Sequence, residues 1–266
     1  MLALGGDTFP HDTQSLRAAL TEGAVSFGAR EDAVATEGDF PSLAALRMNL
    51  TGARLDGRVR LVSASENAVG GFFSRALVVA AEPALLGAVP VNVCVRAEDC
   101  VFAFGAAADG GRMVSLQSCT NGAFDAAAAT ADIEAALLGL ARDVAAGHGA
   151  EVESVRLKLE SENPHRVEVT ALAVAKAMFF KATLTIRGLI VMDSEFNLRL
   201  CEATCTGDGM IANLAAAQLR PRLADLQART FSLRTFLPAG VEPETVTLAG
   251  GTTLRISGDV RQKIKT

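Results

Sequence analysis

Val155-Arg156-Leu157-Lys158-Leu159-Glu160 is the stretch whose reading decides the fold, because apolar and charged residues alternate along it without a break. Successive side chains of a strand point to opposite faces, so this segment predicts a strand with one apolar and one wet face. The same alternation returns at Leu184 and Ile186 against Thr185 and Arg187, and at Phe196, Leu198 and Leu200 against Asn197 and Arg199. Phe231 with Leu233, and Leu254 with Ile256, continue it. Several such strands in succession predict an antiparallel sheet whose apolar face needs a cover.

Two helices supply that cover in the sequence reading. Ile133, Leu137, Leu140 and Val144 recur at helical spacing after Thr130, a residue type suited to capping, with Asp132 and Glu134 near the positive helix end. Gly147 and Gly149 are placed to end this helix. A second helix is predicted from Ile211, Leu214, Ala215, Leu219, Leu223 and Leu226, entered through Gly207-Asp208-Gly209, with Pro221 expected to kink or divide it. The fold class expected is α+β: long, strongly twisted antiparallel sheets wrapped around long apolar helices.

The first half reads as a helix over His11 to Gly23, capped by Asp12 or Thr13, followed by glycine-punctuated strands. Gly38, Gly52, Gly57 and Gly70-Gly71 mark turns. Strands are predicted at Arg58 to Val62, Ala76 to Ala80, Val91 to Val95, Val101 to Phe104 and Met113 to Gln117, the last two joined by an Asp109-Gly110-Gly111 hairpin. The expected division is residues 1–120, a helix with antiparallel strands, and 121–266, a helix-strands-helix-strands unit. Ser118-Cys119-Thr120-Asn121-Gly122 before the first long helix is echoed by Thr204-Cys205-Thr206-Gly207-Asp208-Gly209 before the second. Duplication of a strand-strand-helix unit is one reading of this echo and chance the other.

Composition narrows the functional classes. The 266 residues are half hydrophobic, with neither Trp nor Tyr, and the formal net charge is −5. Without basic stripes to neutralise phosphates, or Trp and Tyr on which bases stack, nucleic acid is not the expected partner. No run of about 18 apolar residues occurs, so no membrane-spanning helix is predicted. Met1 to Pro10 carries no Lys or Arg and does not resemble a secretory signal, which leads to the expectation of a cytoplasmic protein. Five cysteines, an odd number, fit reduced thiols better than a disulfide framework.

Residues suited to chemistry are sparse and scattered. No Gly-x-Ser-x-Gly elbow, phosphate-binding glycine loop or His-Glu-x-x-His helix is present. His11, His148 and His165 stand apart, and each reads as a loop residue. Glu160 with Glu162, and Asp193 with Glu195, offer paired carboxylates, yet Ser161-Glu162-Asn163-Pro164 and Asp193-Ser194-Glu195 read first as hairpin turns. Cys201 and Cys205 fall on a strand and its end, a poor setting for a tetrahedral metal. Asn49-Leu50-Thr51 matches a glycosylation sequon without consequence inside a cell. Met178-Phe179-Phe180, by contrast, combine adaptable and rigid apolar groups, as the wall of an apolar pocket does, and they also read as ordinary core.

Residues of roughly 120–260 carry a resemblance. Thr130-Ala131-Asp132-Ile133-Glu134-Ala135-Ala136-Leu137, the strands Val155 to Leu159, Val167 to Val174, Ala182 to Arg187 and Phe196 to Leu200, a helix, Leu237-Pro238-Ala239-Gly240-Val241 and the strand Thr252 to Ser257 resemble, in that order, the LmeA family of phospholipid-binding proteins. That family is similar to the tubular lipid-binding (TULIP) superfamily, in which a twisted sheet wraps a long helix around an apolar groove. The resemblance implies a non-enzymatic binder or carrier of a lipid or other long apolar molecule, with no cofactor and no metal. Its members are often exported, a departure from the cytoplasmic expectation. The ligand-contacting residues expected are Met178, Phe180, Leu184, Ile211, Leu214 and Leu219. The alternative is a filled-core scaffold acting through protein contacts, and self-association into a homo-oligomer belongs to that reading.

Overall fold

A computed structural model describes residues 2–6, 8–55, 69–106, 111–146, 151–177, 180–237 and 241–262. The predicted strand Arg58 to Val62, Gly57, Asp109-Gly110, the Gly147 and Gly149 helix stop, His148, Met178, Phe179 and Pro238-Ala239-Gly240 lie outside the described residues. The chain forms two compact units. The first comprises residues 1–127, 234–246 and 257–266, and the second residues 128–233 and 247–256.

In the first unit a short strand β1 (Leu2–Leu4) precedes helix α1 (Thr13–Ser26) and strands β2 (Val34–Asp39), β3 (Ser42–Asn49), β4 (Gly71–Leu86), β5 (Val89–Ala106), β6 (Arg112–Ser118) and β7 (Asn121–Ala129). Of the two cap candidates Asp12 serves, accepting from the Ser15 amide at 2.7 Å while Ser15 Oγ receives the Asp12 amide. Leu16, Leu20 and Ala24 of α1 are buried together with Leu43, Leu46, Phe72, Phe102 and Phe104 of the strands.

The segments Val91 to Val95 and Val101 to Phe104, expected as two strands, are parts of the single strand β5. The polar run between them stays within the strand, with Asp99 at a φ of 49°, because β5 is paired on one side by β4 and on the other by β7 and then β6. Residue type alone does not report those hydrogen bonds. β3 and β4 pair in parallel, which departs from an all-antiparallel expectation. The expected 120/121 division falls between β6 and β7, two successive segments laid along the same strand, so the compact unit continues through Ala127.

The second unit opens with α2 (Thr130–Ala146) and continues as β8 (Glu151–Asn163), β9 (Arg166–Ala177), β10 (Phe180–Met192), β11 (Asn197–Asp208), α3 (Met210–Gln227) and β12 (Thr230–Ser232). Its five strands form an antiparallel meander in the order β12-β11-β10-β9-β8. The class is therefore α+β with large antiparallel sheets. The Asp193 turn forms as read, with Asp193 Oδ1 accepting the Glu195 and Asn197 amides, whereas Ser161, Glu162 and Asn163 belong to β8 and the chain turns at Pro164-His165, where Asn163 Oδ1 accepts the His165 amide. The last strands, β13 (Val241–Ala249) and β14 (Thr253–Gln262), contribute their tip, residues 247–256, to this unit.

Both helices of the second unit differ from their sequence reading. Leu137 and Leu140 of α2 are exposed, Leu140 at 61%, rather than forming its buried face. Thr130 Oγ1 donates to the Gly251 carbonyl at 2.8 Å, tying the helix start to the hairpin tip. α3 runs unbroken through Pro221, and among its described side chains Ala212 and Ala216 are buried, while Leu226 is exposed. Phe231, on the three-residue edge strand β12, is 58% exposed. Helical spacing selects a stripe, but the width of the neighbouring surface decides how much of that stripe is covered.

An apolar floor as the candidate functional site

Registers across the second sheet fix which residues share a face. Val155, Ala173, Leu184 and Gly207 stand directly opposite one another on β8, β9, β10 and β11, and so do Leu157, Ala171, Ile186 and Cys205. Directly paired residues project to the same side, so these two rows form one apolar floor. On the other side the rows read Arg156, Leu172, Thr185, Thr206 and Lys158, Thr170, Arg187, Thr204. The alternation around Leu157 thus separates an apolar from a wet face across the meander.

Three elements border the floor. α3 packs on β11 and β10, and its approach is close: a Cβ on Gly207 would lie 2.2 Å from the Ala212 carbonyl carbon. Cys205 is buried, which pushes its thiol up, with Arg220 of α3 partly opposing the shift. Gln227 Nε2 donates to the Ala203 carbonyl at 3.0 Å and fastens the far end of the helix to β11. α2 lies along β8, where Glu134 accepts the Leu157 amide at 2.6 Å and Arg142 donates to the Val152 carbonyl at 3.0 Å. These contacts satisfy backbone groups that an open strand edge leaves free.

The third border is the tip of the β13–β14 hairpin. Leu248 is buried against Leu159 and Val167, with Leu254, Ile256, Ile190 and Leu198 around them. The Leu248 amide donates to the Pro164 carbonyl at 2.6 Å, and Gly250 passes so near β9 that an added Cβ would lie 2.6 Å from Val167. This end of the apolar face is dry. Towards α3, Leu157, Ala171, Ala173, Leu184 and Ile186 are only half-buried.

Leu184 is central to that floor, and Leu219 lies half-buried on α3. Ile211 and Leu214 belong to α3 and Phe180 opens β10, so their elements adjoin Leu184, although their side-chain placements are outside what is described. Met178 lies outside the described residues. The sequence reading missed Ala171, Ala173 and Ala175, small residues that share one face of β9. Their signal was present as Thr170-Ala171-Leu172-Ala173-Val174-Ala175, an alternation of small with larger residues.

Three of the four carboxylates singled out in the sequence make ion pairs. Glu160 pairs with Lys158 at 2.7 Å, Glu162 with Arg166 at 3.3 Å and Asp193 with Arg199 at 3.6 Å. Among the described residues no cluster of three His, Cys, Asp or Glu side chains is arranged to hold a metal. In the first unit a cavity of about 350 Å³ lies over Ala35, Val78 and Ala80 with Arg47, Asn49 and Thr51 at its margin. Its polar groups largely satisfy one another: Arg47 bonds Glu37, Asn49 Oδ1 accepts the Thr51 amide and Thr51 Oγ1 accepts the Glu82 amide. No helix among the described residues is long and apolar enough to cross a membrane. Compared with known proteins, the chain matches no family model, no curated protein and no solved structure.

Proposed function

We propose that the second unit binds the acyl portion of a lipid, or another long apolar molecule, on the floor of Leu157, Ala171, Ala173, Leu184 and Ile186, without transforming it. The observation that supports this reading is the half-burial of these residues between a dry packed end and α3. Small residues on β9, beside the strand that α3 packs on, leave room for a chain, and the one thiol in the floor, Cys205, is buried and held protonated by that burial. The likeness to LmeA proteins and to the tubular lipid-binding roll belongs to the same proposal. Each buried methylene contributes about 0.8 kcal/mol, so an acyl chain must bury on the order of ten to exceed the cost of immobilising it.

A second reading is favoured by the exposed Leu140 and Phe231, which suit contacts with another protein or a second copy. Native mass spectrometry of the full chain, before and after incubation with oleate and phosphatidylglycerol, separates the two. The lipid reading expects discrete adducts that Leu184→Asp abolishes and that Ala173→Phe, which fills the floor without a charge, also reduces. A clean apo mass after incubation, with dimers that grow with protein concentration, overturns it in favour of the scaffold.

A further inference from the structure

We propose that Cys100 and Cys119 form a cross-strand disulfide site inside the first unit. Cys100 lies on β5 and Cys119 in the two-residue link between β6 and β7, and the registers on either side of that link set the two opposite one another. Val101 of β5 stands opposite Ser118, and Glu98 opposite Asn121, so the same alignment holds on both sides of the intervening positions. Interpolation sets Cys100 opposite Cys119 and Asp99 opposite Thr120, and Thr120 Oγ1 indeed reaches Asp99 Oδ2 at 3.4 Å.

Orientation agrees with this alignment. Cys100, Phe102 and Phe104 alternate into the core of β5, where Cys100 is 0% exposed. On the facing segment Val114 and Leu116 point inward, and the register shifts by one residue before Ser118. That bulge reverses the phase, so Ser118 stands with the exposed Val101 and Cys119 turns inward at 2% exposure. Directly opposed residues of an antiparallel pair have Cα atoms about 4.5–5.5 Å apart, within the span a disulfide bridges. Cys201 and Cys205, by contrast, are four residues apart on β11, roughly 13 Å along a strand and beyond bridging distance.

The bond would form by two exchanges with a small disulfide such as oxidised glutathione. One cysteine thiolate attacks the glutathione disulfide, giving a mixed disulfide and one glutathione thiolate. The second cysteine then attacks the protein-bound sulfur, closing Cys100–Cys119 and expelling the other glutathione thiolate. The cysteines are oxidised, the glutathione disulfide is reduced, and the two thiol protons pass to the two leaving thiolates. Burial, reinforced by Cys119 and Asp99, pushes the Cys100 thiol up to about 12, so the folded core resists attack and the bond closes while the chain folds.

Full-length protein refolded from urea in mixed oxidised and reduced glutathione, then trapped with iodoacetamide and digested, tests the site. The expected result is a Cys100–Cys119 linked peptide, a loss of two hydrogens from the intact mass, and unfolding shifted to higher urea than the reduced protein shows. The Cys94→Ser/Cys201→Ser/Cys205→Ser variant should keep the bond, and dithiothreitol should cleave it only once denaturant is added. Bridging through other cysteines, stable glutathione adducts on Cys100 or Cys119, or wild-type protein that stays fully reduced would overturn the proposal.

Discussion

Leu248→Ala should cost the second unit far more than Leu140→Ala, although the same atoms are deleted. Leu248 is 2% exposed and packed against Leu159 and Val167, whereas Leu140 is 61% exposed on α2. Truncating a fully buried leucine leaves a cavity as well as removing apolar contact, at about 3 kcal/mol, which is roughly a hundredfold in the folded-to-unfolded ratio. Exposed leucine and alanine have similar helix propensity, so Leu140→Ala should stay within about 0.5 kcal/mol of wild type. With neither Trp nor Tyr in the chain, far-ultraviolet circular dichroism in urea and amide hydrogen exchange are the suitable assays. Leu248→Ala should lower the unfolding midpoint and speed exchange of the β8 and β9 amides, while Leu140→Ala leaves both near wild type. Equal losses in the two variants would refute the assignment of the hairpin tip as the closure of the sheet.

Further outcomes follow from individual contacts. Glu134→Ala strips the Leu157 amide of its acceptor at the β8 edge and should destabilise by about 1–2 kcal/mol with faster exchange at Leu157, whereas Glu134→Gln should recover most of both. Hydrogen bonds from the Asn197 amides, then the Glu195 amide and the Arg199 charge, hold the Asp193 carboxyl below its ordinary 3.8. Its contribution is therefore fully present above that value and is lost as pH falls through the lower folded value. The stability difference between wild type and Asp193→Ala should stay constant at neutral pH and shrink on acidification in that range. A difference that widens there would contradict the assignment. In native protein iodoacetamide should label the half-buried Cys94 and Cys201 before the buried Cys100, Cys119 and Cys205, with peptide mass mapping as the readout. Labelling of Cys100 at the rate of Cys94 would count against the packed core around it.

The strands β8 to β11 were legible because their signal is local. Alternation at Leu157, Leu184 and Ile186 depends only on neighbouring residues, and the registers place those residues on one face. The Asp12 cap and the Asp193 turn were legible for the same reason, since side chain and backbone meet within four residues. Of the candidate site, Leu184 was readable as apolar, but that Ala171 and Ala173 share its face becomes apparent only when β9 is aligned with β8 and β10.

By itself, then, the sequence determined the strand phase of β8 to β11 and the place of the Asp193 turn. Only the tertiary structure decided which apolar residues are covered. Leu140 and Leu248 are the same residue type, yet one faces water on α2 and the other closes the sheet from the tip of a hairpin distant in sequence. It also decided that Cys100 and Cys119 are buried in the same core, beside a bulge that shifts the pairing of β5 with β6. The physical reason is common to both: burial is a property of the partner surface, and partners are chosen by backbone pairing between segments far apart in the chain.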